Sequence, residues 1–140
     1  MKYQYDGLNW LVRLDRGERL SEQLTAIAEA ENIKSAWVSG IGATQYTEIG
    51  FYDLEQKKYK STRLNQLLEI TSLTGNLSKK EGKPFLHLHI VLSDDEFRTY
   101  GGHLLDLEAA GTVEVFLHNW QKETLIRRFD QDSGLSILDL

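Results

Sequence analysis

The residues best suited to chemistry in this sequence are four histidines: His87, His89, His103 and His118. Two of them lie in the run Pro84-Phe85-Leu86-His87-Leu88-His89-Ile90-Val91. In an extended strand, side chains alternate between faces, so His87 and His89 share one face with Phe85 and Val91. Leu86, Leu88, Ile90 and Leu92 then form the opposite, core-facing side. Imidazoles at i and i+2 stand ~6.6 Å apart along the backbone, close enough to converge on one cation. The third candidate is His103, in Tyr100-Gly101-Gly102-His103-Leu104. A hairpin turning through Ser93–Glu96 that sets His103 directly across from His87 also sets Gly101 across from His89. Directly opposed residues share a face, so three imidazoles point into one volume. A slip of one residue would instead send His103 into the core.

Three neutral imidazoles with a fourth position open form the ligand set of a water-bearing zinc site. Nickel, copper or iron would also accept these ligands. The alternative is a polar sheet face whose histidines hydrogen-bond to their neighbours. His118 lies on the face of Glu114, Phe116 and Trp120 and reads as structural or exposed. Because the neutral ring binds metal, affinity is expected to fall as pH drops through about 6.5. Glu69 is an acid in the apolar stretch Leu67–Leu73. It is a candidate general base beside the metal, or a partner for a basic residue across a subunit interface; the second is preferred, because a buried charge needs a partner. Glu114 has the same two readings.

The elements that must position these groups are mostly strands. A helix is expected from about Arg19 to Glu31, where Leu20, Leu24, Ile27 and Ala28 fall on one face. Strands are expected at Trp10–Leu14, Lys34–Ile41, Glu48–Tyr52, Lys58–Leu64, Leu67–Leu73, Lys83–Leu92, Phe97–Leu104, Thr112–Trp120 and Thr124–Phe129. Thr74-Gly75-Asn76 reads as a turn, and Leu105–Ala110 as a short helical turn. The class is α+β: a mostly antiparallel sheet flanked by one main helix and short helical turns. At 140 residues the chain is expected to be a single domain over 1–140.

Composition narrows the functions. With no cysteine, thiolate metal sites, iron–sulfur clusters, disulfides and cysteine nucleophiles are excluded. A net charge of −5 argues against tight nonspecific DNA binding, which runs on neutralising phosphates. Lys57, Lys58, Lys60 and Arg63 form the densest basic segment and are candidate phosphate contacts, although lysines on a hairpin more often serve to discourage edge pairing. Gly40-Ile41-Gly42 follows a strand without completing a nucleotide-binding fingerprint, and suits tight turning or close approach of a neighbouring subunit. No signal peptide or membrane span is expected, and cytoplasmic location is the default.

Several segments together resemble the PPC (plants and prokaryotes conserved) domain family. They are Arg16-Gly17-Glu18, Val38-Ser39-Gly40-Ile41-Gly42-Ala43, Leu68-Glu69-Ile70-Thr71-Ser72-Leu73-Thr74-Gly75-Asn76, Gly82-Lys83-Pro84-Phe85-Leu86-His87-Leu88-His89, Gly101-Gly102-His103-Leu104 and Thr112-Val113-Glu114-Val115. The resemblance runs over about the first 120 residues. It implies an antiparallel sheet flanked by helices, a homotrimer, and a histidine trio at His87, His89 and His103 as in several prokaryotic members. It also implies an association with DNA, since in plants the domain is joined to AT-hooks in nuclear proteins. Here Arg16-Gly17 is followed by Glu18 and the single proline follows Lys83, so the Arg-Gly-Arg-Pro hook is missing and minor-groove insertion does not carry over. The expected function is a homotrimeric, zinc-binding domain with a DNA-binding or regulatory role. The alternative is a zinc enzyme acting by hydrolysis or hydration on a small substrate, or a small-ligand-binding protein.

Overall fold

Four long strands carry most of the architecture. A computed structural model describes residues 1–140. In chain order its elements are β1 (Lys2–Tyr5), β2 (Trp10–Leu14), α1 (Leu20–Ala30), β3 (Ala36–Asp53), β4 (Lys58–Leu64), β5 (Leu68–Lys80), β6 (Lys83–Ser93), β7 (Thr99–Asn119), β8 (Ile126–Phe129) and β9 (Ser136–Asp139). β3 pairs with β5, β5 with β6, β6 with β7, and β7 back with β3, all antiparallel, so these pairings close a circuit. β2 extends β7, β1 extends β2, and β4 pairs with the second half of β3. β8 joins β5 through one parallel rung, Lys79 with Ile126, and pairs with β9.

The core follows from strand alternation. Trp10, Val12 and Leu14 of β2 are buried, as are Val113, Val115 and Leu117 of β7 and Leu88, Ile90 and Leu92 of β6. Twenty-three buried apolar residues form one cluster. The helix contributes Leu20, Leu24, Ile27 and Ala28, the expected face, and packs on β6 and β7. Its N-terminus has no side-chain cap of its own. Asp106 of β7 supplies one instead: its carboxylate accepts from the Ser21 backbone N–H at 3.1 Å and pairs with Arg19 at 3.0 Å. An acid at that end also complements the helix dipole.

Several expectations are corrected. Leu105–Ala110 is not a helical turn but the middle of β7, so α1 is the only helix. Its polar residues face out at intervals, and Asp106 is used for the cap just described. Thr74-Gly75-Asn76 is not a turn but lies inside β5, paired with Leu88 and its neighbours on β6. Gly75 has φ +156°, and a Cβ there would lie 2.0 Å from the His87 carbonyl oxygen. Glycine is required because β6 passes close by, which a local reading cannot distinguish from a turn. The same holds for Gly40-Ile41-Gly42, which lies within β3: a Cβ on Gly42 (φ +146°) would stand 2.3 Å from the Thr112 carbonyl oxygen. The close neighbour is β7 of the same chain. Separate strands expected at Lys34–Ile41 and Glu48–Tyr52 are likewise one element, β3, and those at Phe97–Leu104 and Thr112–Trp120 are one element, β7.

Candidate metal centre

β6 and β7 bring the histidines together through a different register from the expected one. His103 pairs with His89, not with His87, and Gly102 pairs with Ile90. The difference is a shift of two residues. Because strand faces repeat every two residues, the shift preserves the face, and His103 still joins His87 and His89. The ring centroids of His87 and His89 are 5.4 Å apart, those of His87 and His103 5.2 Å, and those of His89 and His103 5.5 Å. One nitrogen from each ring lies within 4.8 Å of the other two. Tetrahedral zinc at ordinary Zn–N lengths needs its nitrogens roughly 3.4 Å apart, so modest rotamer adjustment brings this set onto one ion. The donor chemistry fits as well: three imidazoles and no competing acid. His87 and His103 are half-buried and His89 is exposed.

The protonation state of the half-buried pair suits metal binding. Burial, then the charges of His87, His89 and Arg127, pulls His103 down to about 4. Burial, then Arg127 and His89, lowers His87. Both rings therefore stay neutral below the ordinary histidine value, and the expected loss of ligation near 6.5 moves to lower pH for His103.

Neighbouring strands fix the rings. On β5, Asn76 stands opposite His87 and Thr74 opposite His89. The Tyr59 ring of β4 lies 5.2 Å from that of His103. Arg127 of β8 reaches across: its Nη2 donates to His87 Nδ1 at 3.1 Å and to Asn76 Oδ1 at 2.8 Å, and its Nε donates to Ser78 Oγ at 2.9 Å. Beside the histidines lies a cleft of about 630 Å³, lined by residues that include His87, His103, Tyr59, Phe85, Arg127 and Lys80. Sequence reasoning missed Arg127, Asn76 and Tyr59. No local signal marks Arg127, since its site partners lie 40 to 51 positions away in the chain.

The other candidates lie elsewhere. Glu69 is exposed on the single chain, on a rung with Ala43 and Ser93. Glu114 is exposed opposite Arg13 and Ile41. Neither belongs to the histidine group. His118 is exposed; its Nε2 is 3.2 Å from Ser39 Oγ and its ring stacks with Phe116. The basic segment does not present free cations throughout. Lys60 pairs with Asp53 at 2.9 Å, Arg63 with Glu48 at 3.2 Å, and Lys57 Nζ donates to the Gln131 carbonyl at 2.6 Å. Lys58 is exposed.

Comparison with known proteins gives the same fold. No curated protein matches the sequence. A metal-containing protein from Archaeoglobus fulgidus is 39% identical, with full coverage of both chains and a TM-score of 0.90. A plant- and prokaryote-conserved (PPC) protein from Pyrococcus horikoshii is 32% identical over 99% of this chain and 95% of its own, with a TM-score of 0.89. A protein from Ralstonia eutropha JMP134, called a putative DNA-binding protein, is 31% identical over 99% of this chain and 96% of its own, with a TM-score of 0.93. The family model of the Plants and Prokaryotes Conserved (PCC) domain matches residues 1–121. Together with the closed circuit of long strands, this match shows that the chain belongs to the Plants and Prokaryotes Conserved domain family.

Proposed function

We propose that this chain is a single-domain, homotrimeric metal-binding protein whose His87, His89 and His103 hold one Zn²⁺, in a DNA-associated or other regulatory role. The observation that carries the metal reading is the convergence of three imidazole nitrogens within 4.8 Å, with no carboxylate in the group. Likeness to the metal-containing Archaeoglobus protein supports it. Zinc held there would keep an open position, where a bound water falls to a pKa of about 7. The regulatory role draws on the naming of the Ralstonia relative. The net charge of −5 and the paired cations of the β3–β4 hairpin favour weak, salt-sensitive contact with DNA over tight binding. The trimer draws support from apolar side chains facing outward on adjacent strands: Leu11 and Phe116 form one rung, and Trp37 and Ile41 lie on the next strand. No helix is long and apolar enough to cross a membrane.

A second reading, a zinc enzyme for a small substrate, is favoured by the 630 Å³ cleft that opens beside His87 and His103. That volume is in the range of ligand pockets. In it, Tyr59 and Phe85 would flank a substrate and Arg127 would orient it.

Elemental analysis of tag-free protein tests the metal. About one zinc per chain is expected for the native protein and for His118→Ala, and most of it is lost in His103→Ala. Unchanged metal content in His103→Ala refutes the proposed ligand set.

A further inference from the structure

Arg127 is a buried cation with no anionic partner. Its side chain belongs to a residue only 8% exposed. Every group it touches is neutral: Ser78 Oγ at 2.9 Å, the Ser136 carbonyl at 2.8 Å, Asn76 Oδ1 at 2.8 Å and His87 Nδ1 at 3.1 Å. The guanidinium carbon also lies 5.2 Å from the centroid of the Phe85 ring. Burying a charge without a counter-charge is costly, and proteins normally pair it. Lys57 and Lys80 line the same cleft, and no aspartate or glutamate does, in a chain whose net charge is −5. The acids are kept out of this cleft beside His87 and His103.

The contact with His87 adds a second argument. Arginine has only donors, so His87 Nδ1 must accept, and in a neutral ring the proton then sits on Nε2. A metal needs a lone pair on this ring. If it takes Nδ1, it displaces the Arg127 N–H. If it takes Nε2, the proton moves to Nδ1 and faces the guanidinium donor. Either way, loading the site would free an Nη2 donor of Arg127 beside His87. Three neutral imidazoles leave the full 2+ charge of the ion uncompensated, and Arg127 adds one more positive charge.

We propose that the cleft binds a small organic carboxylate, one end of which meets Arg127 and the open metal position while its apolar body lies against Phe85, Leu105 and Phe129. The two oxygens of a carboxylate match two electrophilic groups side by side, and the guanidinium fork is suited to that anion. The apolar lining distinguishes this ligand from inorganic phosphate, which would leave those side chains uncovered. Arg127 lies beyond the stretch matched by the family model, so the second half of the site comes from the β8–β9 hairpin.

The inference rests on the metal reading above, and the test separates the two. Zinc-loaded full-length protein, its metal content measured by elemental analysis, is titrated by calorimetry with benzoate, with benzamide and with inorganic phosphate at constant ionic strength. Benzoate is expected to bind at least tenfold more tightly than either of the others. Arg127→Gln should weaken benzoate at least tenfold while keeping one zinc per chain, and Arg127→Lys should fall between. If Arg127→Gln fails to fold because it ties β8 to β5, benzoate against benzamide on the wild-type protein still decides. A chain that loads zinc but binds benzoate no better than benzamide, or binds phosphate more tightly, overturns this inference alone. A chain that takes up no metal overturns the metal reading and this inference with it.

Discussion

Replacing Gly75 with alanine tests whether close packing of β5 on β6 positions the histidines. The new Cβ would lie 2.0 Å from the His87 carbonyl oxygen and 2.8 Å from Leu88 Cα. The first distance is roughly 1.5 Å short of normal van der Waals separation. Both atoms are backbone, so no side-chain rotation relieves the overlap, and the strands must separate. Gly75 pairs with Leu88, the rung between His87 and His89, so the separation moves both candidate ligands. Overpacking costs about 1–3 kcal/mol and the backbone conformation, which side chains rarely adopt, about 1–3 kcal/mol more, giving about 2–6 kcal/mol in all. Gly82→Ala is the matched control. Its φ is +79°, but no atom lies within 4 Å of the new Cβ, so only the conformational cost of about 1–2 kcal/mol applies. Urea unfolding of chelator-treated protein measures the stability difference, and competition with a chromophoric chelator measures zinc affinity. Gly75→Ala should be the less stable variant and should lose at least tenfold in zinc affinity, with Gly82→Ala unchanged in affinity. Equal stability and equal affinity for the two variants would refute the argument.

The metal-free protein should lose stability as pH falls from about 6.5 to about 4. The unfolded chain takes up a proton at His103 near 6.5 but the folded chain only near 4, so the unfolded state gains over that window by at most about 3 kcal/mol. Urea midpoints at pH 7.5 and 4.5 should diverge more for the wild type than for His103→Gln, and an NMR titration placing the ring at 6.5 would contradict this. Light scattering after size exclusion should give about three times the chain mass of 16.1 kDa, and a monomer at micromolar concentration would contradict the trimer. Fluorescence anisotropy at physiological salt should show only weak, salt-sensitive DNA binding. Nanomolar, sequence-selective binding by this chain alone would overturn that expectation.

Wherever the period of a pattern carried the information, the sequence was enough. Leu20, Leu24, Ile27 and Ala28 mark α1 and its buried face because helical spacing leaves little choice. The alternation in Lys83–Leu92 separates His87 and His89 from Leu88, Ile90 and Leu92. That parity brought His103 to the right face even though its partner is His89. Faces repeat every two residues, so an even error in register costs nothing in orientation. What tertiary structure alone decided was continuity and reach. Thr74-Gly75-Asn76 and Gly40-Ile41-Gly42 look like chain reversals because glycine serves a turn and a close backbone approach equally well. Only the presence of β6 and β7 beside them decides which. Strands β1 and β9 are short pieces whose extended form rests on pairing with β2 and β8, so no local pattern announces them. Arg127 enters the site across 40 residues of chain from His87, and its burial without an acid is a property of the folded neighbourhood. Residue types and local spacing determined which groups were available for chemistry. The long-range pairing of β5, β6, β7 and β8 decided which of them share one cleft, because contacts between distant segments leave no periodic trace in the chain.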